Sequence, residues 1–168
     1  MPKRRLLLPS AKTTLTIIVV VTYTITLTTL FASVLRTNHN LLMPGLGNIY
    51  TLGYEAGNKT IDWGTIYVGA STDRSFNLTS RSNTVTTPLL SYGNWTFRNA
   101  QNQAATSPSV DVMKLSWNLS NDTRVYPNQK INVTLTLTAE YDQTFVDYLI
   151  DNNVRTFSFD IIIRPSQV

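Results

Sequence analysis

Hydrophobic residues follow two different patterns along this chain, and the change falls before residue 48. Residues 13–35 form one uncharged run, in which twelve of the 21 positions from Leu15 to Leu35 are Leu, Ile, Val or Phe. As a helix, such a stretch reaches about 31 Å at about 1.5 Å per residue, enough to cross a bilayer core. Its twelve apolar side chains favour insertion by roughly 4–7 kcal/mol before any cost from the threonines. A buried core helix would carry a polar stripe at helical spacing and some charge, and this run has neither. The pattern predicts a transmembrane helix. One stretch reads differently: Thr22-Tyr23-Thr24-Ile25-Thr26-Leu27-Thr28 alternates with the period of a strand. A lone strand in lipid leaves its backbone groups unpaired, so a helix is expected there. If processing released the segment, it could instead add to the edge of a partner's sheet.

Beyond residue 48 the period is two. Phe76 and Leu78 alternate with Asn77 and Thr79, and Leu115, Trp117 and Leu119 with Ser116 and Asn118. Ile131, Val133, Leu135 and Leu137 alternate with Asn132, Thr134, Thr136 and Thr138, and Phe157, Phe159, Ile161 and Ile163 close the chain. Each run predicts a strand with one buried and one wet face. Further strands are expected near 49–54, 65–68 and 85–92, with turns at Val68–Ser71, Arg81–Asn83, Tyr92-Gly93-Asn94 and Pro127-Asn128. Phe145, Tyr148 and Leu149 stand at i, i+3 and i+4, which predicts a short helix near 144–151 with Asp142 or Thr144 at its N-cap. Residues 99–109 are polar and aperiodic and read as a long loop. The whole predicts a mainly β chain: a transmembrane helix over 13–35, a stalk over 36–47, and one immunoglobulin-like antiparallel β-sandwich of about seven strands over 48–168. With no cysteine to pin the sheets, packing must hold them, and Trp63, Trp95 and Trp117 are the expected core anchors.

Charge fixes the direction. The net charge is +4, from 14 basic and 10 acidic residues. Lys3, Arg4, Arg5 and Lys12 supply +4 ahead of the apolar run, and the ten basic and ten acidic residues after it cancel. The basic balance therefore does not point to nucleic acid. It is a positive-inside flank, placing residues 1–12 in the cytoplasm and the β-domain outside. A signal peptide would have a shorter apolar region and a small residue where Leu30 or Phe31 stands, so an uncleaved single-pass signal anchor in the cell membrane is expected.

Six Asn-x-Ser/Thr sequons, at Asn58, Asn77, Asn94, Asn118, Asn121 and Asn132, all follow the apolar run. Asn77, Asn118 and Asn132 fall on the wet phase of their strands, where a glycan needs them.

Chemistry-bearing groups are sparse. His39 is the sole histidine and lies in the stalk, and no cysteine can act as nucleophile or metal ligand. Asp142, Asp147 and Asp151 lack the spacing of a calcium loop and read as a solvated helix face. No glycine-rich phosphate loop is present. Neither a catalytic site nor a metal or cofactor is expected.

Ile61-Asp62-Trp63-Gly64-Thr65-Ile66-Tyr67-Val68-Gly69-Ala70-Ser71, the strand Arg74–Ser80 and Arg81-Ser82-Asn83 resemble the opening of Ig-like domains in archaeal single-pass cell-surface proteins. Gly93-Asn94-Trp95, Leu115–Asn118, Ile131–Leu137 and Phe157–Ile163 extend the likeness over roughly 46–164. More distantly the opening is similar to hydin-like and sperm-protein-like Ig folds. The resemblance implies a cell-surface Ig-like fold used for adhesion, envelope structure or partner binding, and it carries over no catalytic residue. The expected partners are the lipid bilayer through 13–35, an envelope protein or glycan, and a second copy through an edge strand. An archaeal filament subunit is the alternative, although Lys12-Thr13 does not match a pilin cleavage site.

Overall fold

The computed structural model describes residues 19–26, 42–109 and 111–167. The chain divides into two compact units, Met1–His39 and Asn40–Val168. In the first, residues 19–26 form a helix, α1. The Thr24 hydroxyl donates to the Val20 carbonyl at 2.6 Å and the Thr26 hydroxyl to the Thr22 carbonyl at 2.7 Å. Backbone back-bonding of this kind hides threonine polarity within a helix. Over residues 22–26 the strand-like alternation thus gives way to a helix. Among the described residues no helix is long and apolar enough to cross a membrane. The rest of the 13–35 run, the basic residues Lys3, Arg4, Arg5 and Lys12, and His39 lie outside the described residues.

The second unit is a mainly β, two-sheet sandwich with a short helix. Its elements are β1 (Leu42–Thr51), β2 (Tyr54–Ala56), β3 (Thr60–Tyr67), β4 (Ser71–Ser80), β5 (Thr86–Asn99), β6 (Met113–Trp117), β7 (Lys130–Ala139), α2 (Gln143–Asp151) and β8 (Val154–Gln167). One sheet has the order β3-β1-β8-β5 and the other β2-β4-β7-β6. The period-two runs become strands as expected: Phe76, Leu78, Val133, Leu135, Leu137, Phe157, Phe159, Ile161 and Ile163 are buried between the sheets. Burying such a side chain stabilises by about 1.5–3 kcal/mol. Helix α2 starts where Asp142 accepts the Phe145 N–H at 2.9 Å and buries Phe145, Val146 and Leu149.

Two features differ from the sequence expectation. Eight strands are described rather than about seven, and the sandwich is not wholly antiparallel, because β1 pairs parallel with β8. The extra strand arises because the one expected near 49–54 spans the end of β1 and the start of β2. Residues 42–47 are not stalk: they begin β1, which is inserted between β3 and β8 with Met43 fully buried. Gly45 and Gly47 read as breakers in the sequence, yet both are needed for packing. A Cβ on Gly45 would lie 2.0 Å from Cζ of Phe157, and one on Gly47 would meet Ile161 at 2.8 Å and the Trp63 indole nitrogen at 2.9 Å. Only glycine lets the strand backbone approach these core rings so closely.

The core anchors are unequal. Trp63 is 1% exposed and stacks on Phe159 with ring centroids 6.1 Å apart. Trp95 and Trp117 are half-buried and pack against the core from its margin. Trp95 lies in a bulge: between Gly93 and Thr96 the register of β5 against β8 shifts. The expected turn at Tyr92-Gly93-Asn94 is this bulge inside one long strand. Asn94 takes a positive φ of 54°, and its Nδ2 donates to Asp160 at 2.8 Å.

In place of a disulfide, Arg74 ties the two sheets. From β4 its Nε donates to the Asp62 carbonyl and one Nη to the Trp63 carbonyl, both at 2.7 Å and both on β3. Its other Nη donates to its own neighbour, the Asp73 carbonyl, at 2.8 Å. The two β3 carbonyls are turned toward Arg74 where Gly64 adopts a φ of +67° and donates its N–H to the Asp62 side chain. The Trp63-Gly64-Thr65 motif is therefore a structural bend that presents acceptors to Arg74.

Candidate functional site

Among the described residues no group of three or more His, Cys, Asp or Glu side chains could hold a metal ion. The acidic residues near α2 have structural duties: Asp142 caps the helix and Asp147 accepts from Gln143 at 2.9 Å. Burial pushes the Tyr54 phenol up, partly offset by its hydrogen bond with Thr86, and burial also raises Tyr148. The Lys114 ammonium is raised by its hydrogen bond to Glu140, at 2.7 Å on the surface. All three shifts move away from neutrality.

The two outer faces of the sandwich differ in composition. Across the middle of the β2-β4-β7-β6 sheet, from Ser71 to Asn77 on β4 and from Asn132 to Thr138 on β7, the outward residues are short and polar. Ser71 bonds Thr138 and Ser75 bonds Thr134, each hydroxyl to hydroxyl at 2.8 Å, and Thr136 donates to Asp73 at 2.7 Å. Asn77 and Asn132 occupy the next rung as direct cross-strand partners. Asn118, one residue beyond β6, accepts the Thr134 N–H on its Oδ1 at 2.9 Å. The β3-β1-β8-β5 face instead exposes Leu46, Tyr50 and Ile162 around Asp160, which accepts from Asn48 and Asn94. All six sequon asparagines are exposed, with Asn58 and Asn121 in the connections outside the strands.

The sandwich is open where β5 of one sheet faces β6 of the other. A cleft of about 460 Å³ lies there, floored by Trp95, Phe97, Val112 and Met113 and rimmed by Asn94 and Asp111. The expected loop after β5 is its wall. Part of that loop folds back along β5: Ala105 donates to the Phe97 carbonyl at 2.8 Å, and Arg98 bridges Ala104. At the other end Thr86 exchanges both backbone hydrogen bonds with Val125. The four edge strands are each blunted against further pairing. β2 has three residues, β3 carries the Gly64 bend, β5 carries Pro88 and the Asn94 bulge, and β6 is short and bears Lys114. Sequence reasoning placed Trp95 in the core and missed the cleft; the Gly93-Asn94 pair ahead of the tryptophan is the signal of the bulge that moves it to the margin of the core.

No protein-family model matches the chain, and no curated protein matches it. Among solved structures, the chain is similar to the ASH / PapD-like domain of human CEP192 (PapD-like domain 7), at 9% identity and a TM-score of 0.35, over 76% of this chain and 86% of that one. A likeness this weak adds nothing to the fold assignment, which rests on the strand pairing.

Proposed function

We propose that this chain is a membrane-anchored, non-enzymatic surface protein whose single sandwich domain stands outside the cell to bind a partner or build the envelope. The carrying observation is the uncharged run 13–35 with all +4 of net charge ahead of it and a neutral domain behind. The helical residues 19–26, with their back-bonded threonines, support a lipid-embedded helix over a donated strand. The exposed sequons favour an extracellular domain. The open cleft beside Trp95 and the apolar residues of the β3-β1-β8-β5 face are the surfaces best suited to a partner, since aromatic and aliphatic anchors dominate interface energetics. The blunted edges argue against self-association through strand addition. Alkaline carbonate extraction of membranes tests the anchor. The full chain should stay in the pellet, and a variant lacking 13–35 should appear in the supernatant. Full extraction of the intact chain would defeat the proposal.

A further inference from the structure

The six sequons are not equivalent on the folded domain. Asn77 on β4 and Asn132 on β7 face each other directly across an antiparallel pair, and both are exposed. Opposed residues of such a pair hold their Cβ atoms about 4.5–5.5 Å apart, and strand side chains rise roughly perpendicular to the sheet. Two glycans attached there would leave the surface side by side. A pyranose ring with its substituents is wider than that gap, so the first sugar occupies the space the second needs. The neighbouring rung, Ser75 with Thr134, holds only short side chains that cannot splay the two stems apart. Asn118 stands on the same sheet but is tethered through Oδ1, which leaves its amide nitrogen available to carry a sugar.

Asn94 is arranged the opposite way. Its Nδ2, the atom that would carry the sugar, donates to the Asp160 carboxylate at 2.8 Å. Its positive φ holds the bulge that sets Trp95 against Phe159, with ring centroids 4.0 Å apart. Asparagine is needed there for its backbone and its hydrogen bond, and the sequon follows from the threonine two residues on.

We propose that Asn77 and Asn132 form a single glycan acceptor site, filled on one residue at a time, and that Asn94 is a structural residue that is not glycosylated. The inference rests on the surface reading above. The test is glycan number by intact mass on the full chain from membranes of the native host. N77Q and N132Q alone should each leave the number unchanged, because the partner asparagine takes over, and the double variant should lose one glycan. One glycan lost in each single variant, or none in the double, would overturn the shared site. N94Q should keep the full number while melting at a lower temperature; losing a glycan would overturn its structural assignment. Protease shaving of intact cells from the same cultures separates the two levels of inference. A shaved chain that carries no glycan overturns the acceptor site alone, whereas a chain protected from shaving overturns the surface reading beneath it.

Discussion

Gly45→Ala tests whether residues 42–47 belong to the core or to a stalk. The added methyl would lie 2.0 Å from Cζ of Phe157, a residue 2% exposed that packs against Trp95, Phe97 and Phe159. Neither the ring nor the strand can yield freely, because β1 is hydrogen-bonded on both sides. Overpacking of this kind costs about 1–3 kcal/mol. Removing a glycine from the unfolded ensemble offsets roughly 0.4–1 kcal/mol. A net loss of about 1–2 kcal/mol is expected, read as a lower urea midpoint at unchanged slope on the compact unit Asn40–Val168. Gly93→Ala is the matched control: no atom lies within 4 Å of its added Cβ and its φ is not positive, so it should be neutral or slightly stabilising. A Gly45→Ala variant as stable as the control would refute the insertion of β1 between β3 and β8.

Arg74→Ala removes both ties between the sheets and should lower stability by about 2–4 kcal/mol, given about 1.5–3 kcal/mol for a charged hydrogen bond and partial replacement by water. Arg74→Lys, which cannot span both carbonyls, should recover less than half of that in the same urea titration. Trp63 is buried with its indole N–H unpartnered. Trp63→Phe should therefore stay within about 1.5 kcal/mol of the parent, since removing an unsatisfied donor offsets part of the lost packing, while Trp63→Ala costs about 3–5 kcal/mol. The raised phenols of Tyr54 and Tyr148 keep their protons longer in the folded state, so their contribution is complete below the ordinary tyrosine range and is lost as pH rises through the raised values. Thermal melts should be flat at neutral pH and fall above about pH 10, and the double Tyr→Phe variant should flatten that alkaline limb.

The strands legible in the sequence are those whose inward residues are large. Phe76 and Leu78 in β4, Val133, Leu135 and Leu137 in β7, and Phe157, Phe159, Ile161 and Ile163 in β8 are large and stand at alternate positions, so the period alone marks the buried face there. The end of β1 lies within the strand expected near 49–54, but its first half is hidden because two inward positions are glycines, faced by Phe157 at Gly45 and by Ile161 and Trp63 at Gly47. The constraint on Gly45 comes from Phe157, over a hundred positions away, and leaves no local trace. The bulge at Asn94 reads as a turn in the sequence for a related reason: Gly-Asn signals a reversal equally well, and only the pairing with β8 shows the strand continuing. The exposed phase of Asn77, Asn118 and Asn132 followed from alternation, but their shared sheet, and the direct opposition of Asn77 to Asn132, depended on register.

The absence of cysteine permits a direct topology measurement, because any single introduced thiol reports without background. Ser116 is exposed on the outer side of β6, and Ser10 lies in the basic segment ahead of the apolar run. Labelling intact cells with a membrane-impermeant maleimide should modify Ser116→Cys at once and Ser10→Cys only after permeabilisation. Labelling of Ser10→Cys on intact cells, with Ser116→Cys protected until lysis, would contradict an anchored chain with its sandwich outside.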